Sequence, residues 1–532
     1  MIKLICLYLC LSVAILHAQR QYDVDHYLLE VQFSEDFQML KVNEQIQLSF
    51  TDTCSVLALD LVAPKNGKGM VVKYADLFRD FFEPPYLLEW EQQNEVLMLS
   101  LQRVFQKGEI FTIHITLEGS PQDGLIIGQN KYNEPTIFAD NWPNRAHHWY
   151  ACNDHPSDKA TYAFFVEAPS DYKVVANGSL ISKSSKAERN SNVWHYVISE
   201  PIPTKVAVIG IADLLTKDVG QVGQIPILGT VYPKDSLLGL SSFAVAPHIL
   251  QFYQDLVGPY PFKELNNVQS TTRYGGMENA GCIFYDENSL NADLRSTHLI
   301  AHEIAHQWFG NGVTEADWQH LWLSEGFATY LTNMYIETYE GQKAFNKQLQ
   351  SDRIRVINLY NNGFHQALVD SLTPSLLDRL NANAYQKGAW VLHMLRHEMG
   401  DSLFKLGMQQ FYTNYQYQNA TSQDFAHLMD SLSPKDLAPF FNQWLYQSGH
   451  PQLKTRIFSQ KGRQYIEVTQ IQDELFTFPL QISIVEKGTT IQTLELLITK
   501  RTQEFRMPNG VHAKDMTIDA DPHLRLLFEL VK

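Results

Sequence analysis

From Gln21 to about Asp213, apolar and polar positions alternate or gather into short runs of strand-forming residues. Tyr27-Leu28-Leu29-Glu30-Val31-Gln32-Phe33 and Ile110-Phe111-Thr112-Ile113-His114-Ile115-Thr116 are two such runs, and each reads as a strand. Turn signals such as Pro121-Gln122-Asp123-Gly124 and Asn177-Gly178 separate them, which predicts one all-β domain. Near Ile225-Pro226 the texture changes. From Ser241 to about Gln447 apolar residues recur at helical intervals, as in Leu299, Ile300, Ile304 and Trp308, and again in Ala389, Leu392, Leu395 and Met399. The stretch from Thr421 to Met429 reads as a capped helix start. After Ser448-Gly449-His450-Pro451 alternation returns in Tyr465-Ile466-Glu467-Val468-Thr469 and Leu480-Gln481-Ile482-Ser483-Ile484, with Gly488-Thr489-Thr490 as a hairpin connection. This last stretch suits a small β-sandwich.

Length agrees with that division, because 532 residues exceed one core and domains usually run to roughly 100–200 residues. A formal net charge of −16 argues against a partner that presents phosphate backbones, so no nucleic acid is expected. Lys3, the apolar run Leu4 to Leu16 and His17-Ala18-Gln19 together read as a secretory signal peptide over residues 1–18. The run is too short for the roughly 20 residues that span a bilayer. A secreted or periplasmic protein without an integral membrane segment is therefore expected. Cleavage after Ala18 leaves Cys54, Cys152 and Cys282, which read as buried small apolar residues rather than a disulfide framework. Asn177-Gly178-Ser179 and Asn419-Ala420-Thr421 fit the glycan acceptor pattern of a eukaryotic secretory route. Oligomeric state is not legible in the sequence.

The candidate chemistry centres on His302-Glu303-Ile304-Ala305-His306. On a helix, residues four apart share a face, with Cβ atoms about 5–6 Å from each other. Two imidazoles so placed can hold one zinc ion, and Glu303 on the neighbouring face can reach a water on it. Glu325, in Trp322-Leu323-Ser324-Glu325-Gly326-Phe327-Ala328, opens a further helix that can deliver a third ligand. Three protein ligands and one open position make a catalytic zinc site. Upstream, Gly275-Gly276-Met277-Glu278-Asn279 combines glycines, which allow close backbone approach, with a carboxylate for a cationic group; a plain turn bearing a solvated acid is the alternative. Downstream, Tyr385-Gln386-Lys387-Gly388-Ala389 offers a hydroxyl that could stabilise an oxyanion, or simply a packed aromatic.

In this order and spacing the motifs resemble the gluzincin aminopeptidases, the family of aminopeptidase N and the leukotriene hydrolase. The resemblance covers roughly residues 140 to 450 and includes Gly258-Pro259-Tyr260-Pro261-Phe262 and Trp149-Tyr150-Ala151-Cys152-Asn153-Asp154-His155-Pro156. It implies an α+β multidomain protein: an N-terminal all-β saddle (19–215), a thermolysin-like, mainly helical catalytic domain (216–447) and a C-terminal β-sandwich (448–532). It also implies one zinc ion on His302, His306 and Glu325, with Glu303 as general base and proton shuttle. Tyr385 would be the oxyanion donor, and Gly275 and Gly276 would line the substrate backbone. Met277 would border the pocket for the N-terminal side chain, beside Asn279. Glu278 would bind the free α-amino group of a peptide substrate. Two departures stand out. Trp142 falls where the family places a second amine-binding acid or amide, with Asp140 as the nearest acid to replace it, and no sequence follows the small β-domain to build the helical domain common in the family. The alternatives are a zinc endopeptidase of similar fold and a non-catalytic binding protein on a peptidase fold.

Overall fold

In a computed structural model, residues 20–78, 86–486, 489–507 and 516–531 are described. The expected signal peptide lies outside them, as does Gly488 of the expected hairpin connection. An eight-stranded sheet dominates the N-terminal part, and the first expected strand runs through its middle. Tyr22–Phe33 pairs parallel with Lys159–Pro169 and antiparallel with Leu40–Phe50. Alternation along these strands sends one set of side chains inward, so that Tyr27 stacks on Tyr162 with ring centroids 5.0 Å apart. The second expected strand, Ile110–Ser120, pairs with Leu40–Phe50 on its far side.

A five-stranded sheet follows, built from Leu215–Val222, Ile225–Val231, Leu265–Ser270, Cys282–Asp286 and, at its edge, Gly276–Met277. The hydrophobic pattern did not single it out. Leu265–Ser270 is buried at all six positions between two parallel neighbours, so its polar residues lie inside and no alternation marks it. The helices are α1 (Ser236–Phe243), α2 (Ala246–Leu256), α3 (Leu294–Ala305), α4 (Trp322–Tyr339), α5 (Gln342–Asn361), α6 (Gly388–Met399), α7 (Asp401–Tyr415), α8 (Ser422–Leu432) and α9 (Ala438–Tyr446). Asp293 caps α3 by accepting from the Ser296 N–H at 3.0 Å. The expected helix start at Thr421 is a reciprocal capping box with Asp424.

The C-terminal part is two sheets, one carrying Gln452–Gln460 and Arg463–Gln470, the other Phe478–Glu486 and Thr489–Ile498. Ile457 from the first packs with Ile484, Leu494 and Met507 in the layer between them. Arg353 of α5 ties this unit to the helices. Its guanidinium donates to Asp521 at 2.6 Å and to the Leu526 carbonyl, and lies 4.9 Å from the ring centres of both Trp390 and Phe528.

The N-terminal part is tied to the helical part by buried polar groups. Lys205 pairs with Glu315, both fully enclosed. Lys159 Nζ donates to the carbonyls of Asn311 and Gly312 at 3.0 and 2.9 Å. The Asn177 amide bridges the carbonyls of Val206 and Ala280, 2.8 Å each. These contacts correct the glycan expectation. Asn177 is completely buried, and the Asn419 amide is bound to the carbonyls of Pro156 and Glu315, so neither side chain is free to carry a sugar in the folded protein. Cys54, Cys152 and Cys282 are buried and unpaired, as expected. Among the described residues no helix is long and apolar enough to cross a membrane.

Candidate metal centre and active site

Helix α3 buries Ile300, Ala301, Ile304 and Ala305, which turns His302 and His306 together toward α4. Helix α4 is buried all round from Trp322 to Ile336, so it runs through the core, and Glu325 sits in its first turn. The positive end of the helix dipole favours a carboxylate there. The Nε2 atoms of His302 and His306 lie 3.1 Å apart, and Glu325 Oε2 lies 3.5 and 3.2 Å from them. Ligands placed tetrahedrally at about 2.0–2.1 Å from zinc stand roughly 3.3 Å from one another. The three atoms therefore fit one zinc ion.

The tautomer agrees. His306 Nδ1 faces the Phe309 carbonyl at 3.2 Å and the Ser324 hydroxyl at 3.1 Å. An N–H donated to that carbonyl leaves the Nε2 lone pair pointing at Glu325 and His302. Gly310 permits this close turn, because a Cβ there would stand 2.5 Å from Ser324 Oγ and 3.0 Å from His306 Nδ1. Glu325 Oε2 is buried and receives no hydrogen bond despite the two nearby imidazoles.

The surrounding charge also calls for a cation. Glu278, Glu303 and Glu325 are all buried. Burial alone would lower the His306 pKa, but Glu325, Glu278 and Glu303 outweigh it and push it up to about 10. Burial pushes Glu303 well above the usual carboxylate range, and it raises Glu278 as well. Glu325 goes the other way: burial opposes its ionisation, yet His306 and His302 hold it below the usual range. A divalent ion can take the place of the proton these carboxylates hold on His306. Glu278, Glu303 and His306 also converge closely enough to share an ion. The set with two imidazoles suits zinc better and leaves Glu278 and Glu303 free.

Glu303 lies across the edge strand that carries the glycines. A Cβ on Gly276 would stand 2.5 Å from Glu303 Cδ and 2.6 Å from Cγ. At Gly275 the nearest atom, Ser289 Oγ, would be 3.6 Å away, so the two glycines are not equivalent. The Tyr385 side chain comes from a π-helical turn, Asn383–Lys387, that leads into α6. Its ring stacks near-parallel to that of His302, centroids 6.0 Å apart. Burial, then the charges of Glu325, Glu278 and Glu303, keep its hydroxyl well above its usual pKa, and so a donor. Tyr385 approaches Glu325 because α6 and α4 cross at two glycines. A Cβ on Gly326 would stand 2.9 Å from Gly388 Cα.

Met277, Glu278, His302, Glu303, His306 and Tyr385 border one cleft of about 60 Å³, together with Gly276 and Glu325. Gly275 and Asn279 do not border it; the Gly275 carbonyl accepts from the Asp286 N–H in the sheet, and Asn279 is wholly buried. Trp142 does border it, is 2% exposed, and is held edge-on by Trp318 at 5.9 Å. Asp140 corrects an expectation. Its carboxylate is 2.8 Å from Arg145 Nη2 and 3.5 Å from Arg273 Nε, away from the cleft, so it does not stand in for an acid at Trp142. Sequence reasoning also passed over Gln307 and Asn311, whose amides both donate to the Glu278 carbonyl. Their proximity to His306 was the only signal for them.

The Peptidase M1 N-terminal domain profile matches residues 23–206, and the Peptidase family M1 domain profile matches residues 242–444. Probable aminopeptidase 2 of Sulfurisphaera tokodaii is 27% identical over 359 residues, 64% of this chain and 45% of that protein. Aminopeptidase N of Lactococcus lactis subsp. lactis is 26% identical over 395 residues, 68% of this chain and 45% of its own length. The chain spans about half the length of the curated relatives it matches. Among solved structures, aminopeptidase A of Legionella pneumophila, in complex with aspartic acid, superposes with a TM-score of 0.81 at 18% identity, over 97% of this chain and 60% of that one. A mutant M1 zinc metallopeptidase from Deinococcus radiodurans superposes with a TM-score of 0.69 at 22% identity, over 81% of this chain and 96% of that one. The chain belongs to the M1 peptidase family.

Proposed function

We propose that this protein is a zinc-dependent aminopeptidase that removes N-terminal residues from peptides. The observation that carries the reading is the convergence of Glu278 with Glu303, Tyr385 and the His302–His306–Glu325 triangle on one small cleft. In this reading His302, His306 and Glu325 hold one zinc ion. A bound zinc supplies Lewis acidity, polarising the scissile carbonyl and lowering the pKa of a water to about 7. Glu303 takes the proton of the attacking water and passes it to the departing amine. Tyr385 donates to the oxygen on which negative charge develops, a contribution whose loss typically costs roughly 100- to 1000-fold in rate. Glu278 pairs with the substrate α-ammonium, and Gly276 leaves room for the substrate backbone beside Glu303.

Trp142 and the pairing of Asp140 with Arg145 leave Glu278 as the carboxylate facing the amine on this side of the cleft. A chain anchored by one such acid discriminates less sharply against blocked termini, which is the point of contact with an endopeptidase. Two measurements separate the readings. Glu303→Ala should abolish hydrolysis of an aminoacyl substrate while metal analysis still finds zinc; retained turnover removes the proposed base. A peptide and its N-acetylated form should be cleaved at clearly different rates, and equal cleavage favours the endopeptidase. We further propose export, on Lys3 and the apolar run that follows it. N-terminal sequencing of the protein from its source should then begin at Gln19.

A further inference from the structure

Glu278 is the residue on which amine recognition would depend, yet its Oε1 is buried and receives no hydrogen bond. The sheet does not hold it either. The edge strand pairs with its neighbour only at Gly276 and Met277, so Glu278 lies one residue beyond the last pair. What is held is its main chain. Two side-chain amides converge on the Glu278 carbonyl oxygen, Gln307 Nε2 at 3.0 Å and Asn311 Nδ2 at 2.6 Å. Both residues are completely buried. Gln307 spends every polar atom on the same junction. Its Nε2 also reaches the Glu303 carbonyl at 3.3 Å, and its Oε1 accepts from the Gly281 N–H at 2.9 Å.

Gln307 and Asn311 both belong to the turn that leaves α3 at His306. The Asn311 N–H donates to the His306 carbonyl at 3.0 Å, and the Asn311 carbonyl in turn accepts from Lys159 of the N-terminal sheet. We propose that Gln307 and Asn311 are positioning residues that fix the distance between the amine-binding carboxylate and the metal ligands. This rests on the amine reading of Glu278 given above. The physical reason is twofold. A buried carbonyl deprived of its donors loses more than the hydrogen bonds, so the segment would move to find others. A displacement of about 1 Å in a substrate-positioning group can cost on the order of 100-fold.

The test uses two hydroxamates with the same metal-binding group: leucine hydroxamate and its desamino analogue, measured on the full-length zinc-loaded protein. The ratio of their inhibition constants reports amine anchoring apart from metal binding. Wild type should favour the amine-bearing compound, and Glu278→Ala should erase that preference. Asn311→Ala and Gln307→Leu should each cut it by about tenfold, the loss of a hydrogen bond on the anchor, with zinc content and affinity for the desamino analogue unchanged. Two variants on different residues guard against one of them failing to fold. A preference that survives in both variants overturns the proposal, and so does equal weakening of both inhibitors, which is what a purely structural role would give. A wild type with no preference for the amine instead overturns the amine reading of Glu278, and the clamp with it.

Discussion

Gly275 and Gly276 look alike in sequence, and the difference between them is what lies above each. Glu303 rests directly on Gly276, whereas Gly275 has room for a methyl group. Gly276→Ala should therefore push the Glu303 carboxylate out of the cleft and lower kcat steeply, while Gly275→Ala should leave kcat within a few-fold of wild type. Steady-state kinetics on one aminoacyl substrate compares the two, and a Gly276→Ala enzyme of normal kcat would mean that Glu303 has another seat. His302, Glu303 and His306 were legible because helical spacing converts sequence separation into direction. Asp140 was not, because its fate is set by Arg145 and Arg273, the second of which is 133 residues away along the chain. Sequence reports which acids are near a motif, but not which cations claim them.

At the scale of elements, alternation and capping were readable wherever one face of an element is wet. Tyr22–Phe33, Ile110–Ser120 and α8 all follow from their own residues. Leu265–Ser270 did not, being buried on both faces, and neither did the crossing of α4 and α6 at Gly326 and Gly388, which brings Tyr385 to His302 and Glu325. A third element meets these helices through a buried acid. Asp352 of α5 accepts from Asn333 of α4 and from Gln348, both at 3.0 Å, and burial pushes its pKa up to about 6 despite those donors. The folded-state pKa lies above the unfolded value of about 3.9, so ionisation favours the unfolded chain. The native state thus loses stability as pH rises from roughly 4 to 6, by on the order of 3 kcal/mol. Asp352→Asn lacks that dependence. Denaturant melts at pH 4 and pH 7 should show the variant gaining on wild type at the higher pH, and a constant difference would place the charge elsewhere.

Across the whole molecule, the N-terminal sheet and the helical part meet through charge as well as apolar surface. Lys205 and Glu315 are enclosed together, so removing one leaves the other charge buried without a partner. Lys205→Met should cost roughly 3–5 kcal/mol in a denaturant titration. A loss below 1 kcal/mol would show that the pair is readily replaced. The same junction gives Asn177 a second significance. An asparagine followed by glycine is the sequence most prone to spontaneous deamidation, because the next backbone nitrogen can attack the side-chain amide with little steric hindrance. Here that amide is pinned by two carbonyls, one on each side of the junction, and its oxygen accepts from the Val208 N–H. The folded chain should therefore age slowly at Asn177 and the opened chain quickly. The fraction of isoaspartate at this one position then becomes a chemical clock of how long each molecule has spent with its two halves apart.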